Sequence, residues 1–150
     1  MILDIFIGLF VSLAFAILFN APKRALIPIV LIGIVAVLVK KNMLKYGFSL
    51  EFSTFVAAFC IGIMCLYFTH KQNIPILVYA ISSSIVLVPT INAYKAMIGL
   101  IQISTHQIMN QDIIIQSLHY GLRTWMVFGA IAIGIVLPTQ FISKYRFKIL

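Results

Sequence analysis

Acidic side chains are almost missing from this chain: Asp4, Glu51 and Asp112 are the three among 150 residues, each near the end of a helical stretch. Enzymes working inside a membrane need paired acids, a nucleophile with its base, or a metal motif. Three scattered acids supply none of these, and His70, His106 and His119 lack metal-site spacing. A glycine-rich phosphate loop is missing too. An enzyme, a bound cofactor and a metal site are therefore not expected. Cysteine is equally scarce: Cys60 and Cys65 stand five residues apart in one apolar run and point to different faces, so they read as small packing residues. Charge as a whole is 9% of the residues, where a soluble domain carries about a quarter.

What the chain has in abundance is long apolar runs. The hydrophobic fraction is 63% and the mean hydropathy +1.13. A span of the hydrocarbon core takes about 20 apolar residues. The runs are Ile2–Phe19, Leu26–Val39, Phe52–Phe68, Ile74–Val88 and Ile113–Leu137. They are continuously apolar instead of alternating, which excludes a β-barrel, and in lipid a backbone must satisfy itself within helices. The sequence predicts an all-α polytopic transmembrane bundle of about five helices, a single integral membrane domain over 1–150. Its fourth helix is interrupted at Pro89 and followed by an amphipathic or re-entrant helix. The second and fourth runs are short. Lys23, Arg24, Lys40 and Lys41 flank the second, and their aliphatic stems can extend it to the interface.

The net charge of +8 would suggest nucleic acid in a soluble protein. Here the basic residues sit at helix ends and in the tail Lys144, Arg146, Lys148, the distribution of topology signals and lipid-headgroup contacts. The expected partner of this charge is the bilayer, with no nucleic acid. With five spans, one side holds Lys23, Arg24, Lys71, Lys144, Arg146 and Lys148 and the other Lys40, Lys41 and Lys45. Six against three predicts a cytoplasmic C-terminus. The first run carries Asp4 in place of a basic n-region and reads as a span, not a signal peptide.

Function must then lie in the polar groups kept inside. In the third helix, Ser53 or Thr54 is expected to cap the first turn, with Glu51 at the positive end of the helix dipole. Ala58 with Gly62, and Ala130 with Gly134, are small-xxx-small pairs that let helices approach. Ser82-Ser83-Ser84 lies within the fourth run, where serines either back-bond to the preceding turn or face a pathway. Pro89 then breaks the helix. A short, interrupted hydrophobic segment is a pointer to a transporter's binding site.

Beyond the break, Asn92, Lys95, Gly99, Gln102 and His106 share one helical face. A second stripe, Gln116, His119, Tyr120 and Arg123, opens the last run. Each stripe has two readings: an interfacial face whose cation snorkels to headgroups, or a polar path, since charges within a span face a cavity or partner. On the path reading, Lys95 and Arg123 hold a carboxylate by charge-assisted hydrogen bonds. Asn92, Gln102, His119 and Ser83 add further polar contacts.

Three segments in this order resemble a known family: Phe19-Asn20-Ala21-Pro22-Lys23-Arg24-Ala25-Leu26, Glu51-Phe52-Ser53-Thr54-Phe55, and Pro89-Thr90-Ile91-Asn92-Ala93-Tyr94-Lys95-Ala96-Met97-Ile98. Together they are similar to the small, YjjB-like membrane subunit of the threonine/serine exporter (ThrE) family. Asn20, Arg24, Glu51, Ser53, Thr54, Pro89 and Tyr94 match its pattern. Thr90 stands where a glycine often follows the proline, and His119-Tyr120-Gly121-Leu122-Arg123 stands where small and hydroxyl residues with an asparagine are expected. The resemblance implies a bacterial inner-membrane exporter of threonine and serine, or of a dicarboxylate such as succinate. It also implies a larger YjjP-like partner, the two proteins forming inverted halves of a secondary transporter. The alternative from another class is an accessory or assembly membrane protein that carries nothing itself.

Overall fold

The computed structural model describes residues 2–105 and 111–146, with side chains placed for 3–105 and 111–141. Every regular element among them is helical: α1 (Ile2–Leu18), α2 (Lys23–Lys45), α3 (Leu50–Gln72), α4 (Ile76–Ser84) prolonged by a 3₁₀ turn (Ile85–Leu87), α5 (Thr90–Thr105) and α6 (Gln111–Arg146). By length and composition α2, α3 and α6 can each cross a membrane, α4 and α5 pass the same test together as a bent pair with the form of a broken span or a re-entrant loop, and α1 is shorter but apolar. The all-α bundle with an interrupted fourth helix is therefore the observed architecture. His106 lies outside the described residues, as do the side chains of the basic tail.

Left-handed residues, which short polar side chains and glycine tolerate best, close the first three helices. Asn20 (φ 52°) ends α1, with its N–H on Ile17 O and that of Ala21 on Ala16 O, both at 2.9 Å. Gly47 (φ 84°) ends α2 in the same way, through Leu44 O and Met43 O. Asn73 (φ 54°) ends α3 and donates to Thr69 O at 2.9 Å. After each asparagine, one residue and a proline follow: Pro22 and Pro75 stand in extended conformation directly before α2 and α4. Proline there carries no N–H for a helix start to leave unsatisfied.

The chain divides into two compact units, residues 1–87 with 130–150, and residues 88–129. In the first, α1 and α2 form an antiparallel pair whose crossing is set by small residues. A Cβ added at Gly33 would overlap Ser12 Oγ, and one at Gly8 would lie 3.0 Å from Ile34 Cα. The Ala58/Gly62 and Ala130/Gly134 segments cross each other. A Cβ at Gly134 would sit 2.7 Å from Ala58 Cβ, and one at Gly62 would overlap Pro138. Around these crossings Ile29, Ile32, Ile61, Tyr79 and Leu87 are fully enclosed.

The expected cap of α3 needs correcting. Ser49 is the N-cap, its Oγ accepting from Phe52 N at 3.3 Å. Ser53 and Thr54 lie one turn further in, fully buried, and their hydroxyls donate to Ser49 O (2.8 Å) and Leu50 O (2.7 Å). Buried in an apolar bundle, these two hydroxyls donate to the nearest carbonyl of their own helix. Glu51 does sit in the first turn of α3. Lys40 and Lys41, in the second half of α2, have protein partners. Lys41 forms an ion pair with buried Asp4, and Lys40 Nζ donates to Leu87 O at 2.9 Å.

Candidate functional site

The second unit is a helical pair, α5 and the first half of α6. The two helices come close at Gly99 against Ser117, where a Cβ on Gly99 would overlap the serine hydroxyl. Only a residue without a side chain lets Ser117 come this near. Ser117 is 5% exposed and donates to Ile113 O at 2.6 Å, so its hydroxyl is satisfied within its own helix.

Beside this contact the helices part and leave a cleft of about 270 Å³, lined by Lys95, Ile98, Gly99 and Gln102 from α5 and by Ile113, Gln116, Ser117 and Tyr120 from α6. Drug-sized ligands occupy pockets of about 300–1,000 Å³. This one falls just below that range and suits a small solute. The Lys95 ammonium stands 5.0 Å from the centre of the Tyr120 ring. An aromatic face attracts a cation electrostatically and steadies the long lysine side chain without neutralising it. His119 meets the same ring edge-on, with centroids 5.9 Å apart. One cation, two carboxamides (Gln102, Gln116) and a phenol thus border the same small volume. The ammonium and the amide N–H groups donate, so the chemistry suits a solute bearing a carboxylate.

The residues singled out by sequence fall into three groups. Lys95 and Gln102 meet in the cleft, together with Gly99, Gln116 and Tyr120 of the two stripes. Asn92, His119 and Arg123 belong to the same helices but do not line it; Asn92 and Arg123 are half-buried and His119 is exposed. Ser83 belongs to the first unit. It is fully buried and donates to Tyr79 O at 2.6 Å, the back-bonded geometry. Ser117 was missed. The signal was present, since Ser117, Tyr120 and Thr124 follow one another at i, i+3 and i+7 along the last run.

Most of the family-motif residues have structural places. Asn20 is the left-handed end of α1, Ser53 and Thr54 bond their own helix, and Pro89 follows the 3₁₀ turn at the break. Arg24 and Tyr94 are exposed. Among the described residues, no group of three or more His, Cys, Asp or Glu side chains is placed to hold a metal ion.

Residues 4–141 match a family model described as "Threonine/Serine exporter, ThrE". No solved structure matches the chain.

Proposed function

Taking as premise that this chain belongs to the threonine/serine exporter (ThrE) family, we propose that it forms one half of a two-protein carrier in which the α5–α6 cleft contributes to the solute path. The family is one of membrane exporters, not of enzymes, and the chain is a multi-pass membrane protein. The supporting observation is the cleft itself: Lys95 held over Tyr120, with Gln102 and Gln116 beside it. Lys95 takes the carboxylate of the exported solute, and the two carboxamides take its remaining polar groups. Threonine and serine, with one carboxylate each, match a single cation; a dicarboxylate such as succinate needs a second cation, which the partner supplies.

Size argues for the partner. The interrupted α4–α5 pair and its neighbours amount to about five crossings, few for a carrier that alternates access by itself. A homologous YjjP-like protein with the same odd number of helices would complete it as an inverted half. The setting is a bacterial inner membrane with a cytoplasmic C-terminus, from the Lys/Arg bias of the loops.

The test is efflux of labelled threonine, serine and succinate from cells expressing the chain with and without its YjjP-like partner. The expected result is efflux only with both, abolished by Lys95→Gln at unchanged membrane abundance. No efflux in either condition, with the protein inserted, overturns the carrier reading in favour of the accessory one. Thiol labelling from water adds a second discriminator. Cysteines at positions 92, 95 and 102 react in a carrier and are protected in a scaffold. Position 99 is unsuitable, because any side chain there meets Ser117.

A further inference from the structure

The break in the fourth helix creates a polar problem in an apolar place. The last carbonyls of a helix have no donor further along, and Pro89 brings no N–H to the ladder. Beyond it α5 starts a ladder of its own, with Ala93 N donating to Pro89 O at 3.0 Å. Leu87, the last residue of the 3₁₀ turn, is fully enclosed. Its carbonyl nevertheless has a donor: Lys40 Nζ, 47 residues back in the chain, at 2.9 Å. The ammonium also meets the negative end of the helix dipole. In carriers with discontinuous helices, the carbonyl ends of half-helices coordinate the coupling cation.

We propose that Lys40 is a tethered cation at this position: a positioning residue that stands where another carrier would bind a dissolved sodium ion, and that fixes the end of the interrupted helix. Leu87 is the last residue of the first unit before the chain passes to the second at Val88. Lys40 therefore holds the last turn before the break. Neighbouring charges have a separate arrangement, since Lys41 on the next position of α2 pairs with Asp4 of α1. The inference goes beyond the exporter reading and rests on it only in the export arm of the test.

That test compares the full-length wild type with Lys40→Met and Lys40→Arg, and with Lys45→Met at the exposed end of α2 as control. Hydrogen exchange is read at the amides of Ile85–Leu87. Loss of a charge-assisted bond should speed their exchange about tenfold in K40M, with K40R within about twofold of wild type and K45M unchanged. In cells, K40M should lower the maximal export rate about tenfold and leave the apparent KM within about twofold, because Lys40 does not line the cleft. Sodium added to K40M should slow the exchange again if the carbonyl end accepts a free cation. Unaltered exchange in K40M overturns the proposal, and so does faster exchange with an unaltered export rate. Failure of sodium to slow it overturns the cation-site part. If K40M does not accumulate, Lys40→Gln, which keeps an N–H donor but no charge, reads the same amides. If wild-type cells export nothing, the exporter reading fails, while the exchange arm still decides whether Lys40 holds the break.

Discussion

The two units treat buried hydroxyls alike, Ser117 and Thr124 of the second also bonding their own helix, but place their charged and carboxamide side chains differently. In the first, the hydroxyls of Ser53, Thr54 and Ser83 are fully buried and each donates to a carbonyl of its own helix. Asp4 is enclosed and paired with Lys41. In the second, Lys95, Gln102 and Gln116 remain exposed around a cleft, and the Lys95 ammonium has an aromatic face beside it. A polar group bonded to its own backbone is a structural element. One left bordering a cavity is available to a solute. The contrast explains why polarity inside a span marked several places in the sequence, of which only some combine into a site.

Substitutions can break that contrast on either side. The largest effect is expected from Gly33→Leu in the first unit. The side chain would displace Ser12 and force α1 from α2, and overpacking a tight contact costs about 1–3 kcal/mol or more. Detergent-solubilised protein should lose its single size-exclusion peak and melt well below wild type. Next comes Lys95→Gln in the second unit, which should reduce export about 100-fold, or about 2.7 kcal/mol, without changing the melting temperature. A mutant that loses both would show that the cleft is a packing feature like those of the first unit. Third, Tyr120→Leu should raise the apparent KM about fivefold, whereas Tyr120→Phe, which keeps the aromatic face, should stay within about twofold.

Smaller still is Asn20→Ala, at about 1 kcal/mol of thermal stability, because alanine resists a φ of 52°; Asn20→Gly should be close to neutral. The smallest change is expected at Gly129, where an added Cβ meets nothing within 4 Å, so Gly129→Ala should stay within about 0.5 kcal/mol. Gly33 and Gly129 differ in nothing the composition reveals. Gly33→Ala measured beside Gly129→Ala, the same side chain at a tight and at an open site, shows whether close approach, and not helix propensity, sets the cost.

The broad architecture was legible because hydrophobic length and proline act locally. Five apolar runs and the break at Pro89 can be read without knowing any contact. The Ala58/Gly62 and Ala130/Gly134 pairs were also readable, and the structure sets Ala58 against Gly134 and Gly62 against Ile135 and Pro138. Which helix faces which was not readable, since small residues advertise an approach but not its partner. The same limit hid Gly8, Ser12 and Gly33. Ser49, Ser53 and Thr54 are all capable caps, and only the helix start at Leu50 separates the one that caps from the two that bond inward. Lys40 and Lys41 looked like interchangeable flanks of a short span. Their different partners, Leu87 O and Asp4, lie on other helices and leave no trace in the local pattern. For the cleft, the two stripes supplied Lys95, Gln102, Gln116 and Tyr120, while their convergence depended on Gly99 meeting Ser117 across the chain.

The pairing of Asp4 with Lys41 bears on how the protein is made. The acid emerges from the ribosome 37 residues before the lysine that neutralises it. Asp4 lies buried in the first turn of α1, and Lys41 reaches it from α2. Once the Asn20–Pro22 turn has folded α2 back along α1, the two charges stand as a matched pair. The ion pair thus belongs to the first hairpin as a unit and to neither of its helices alone.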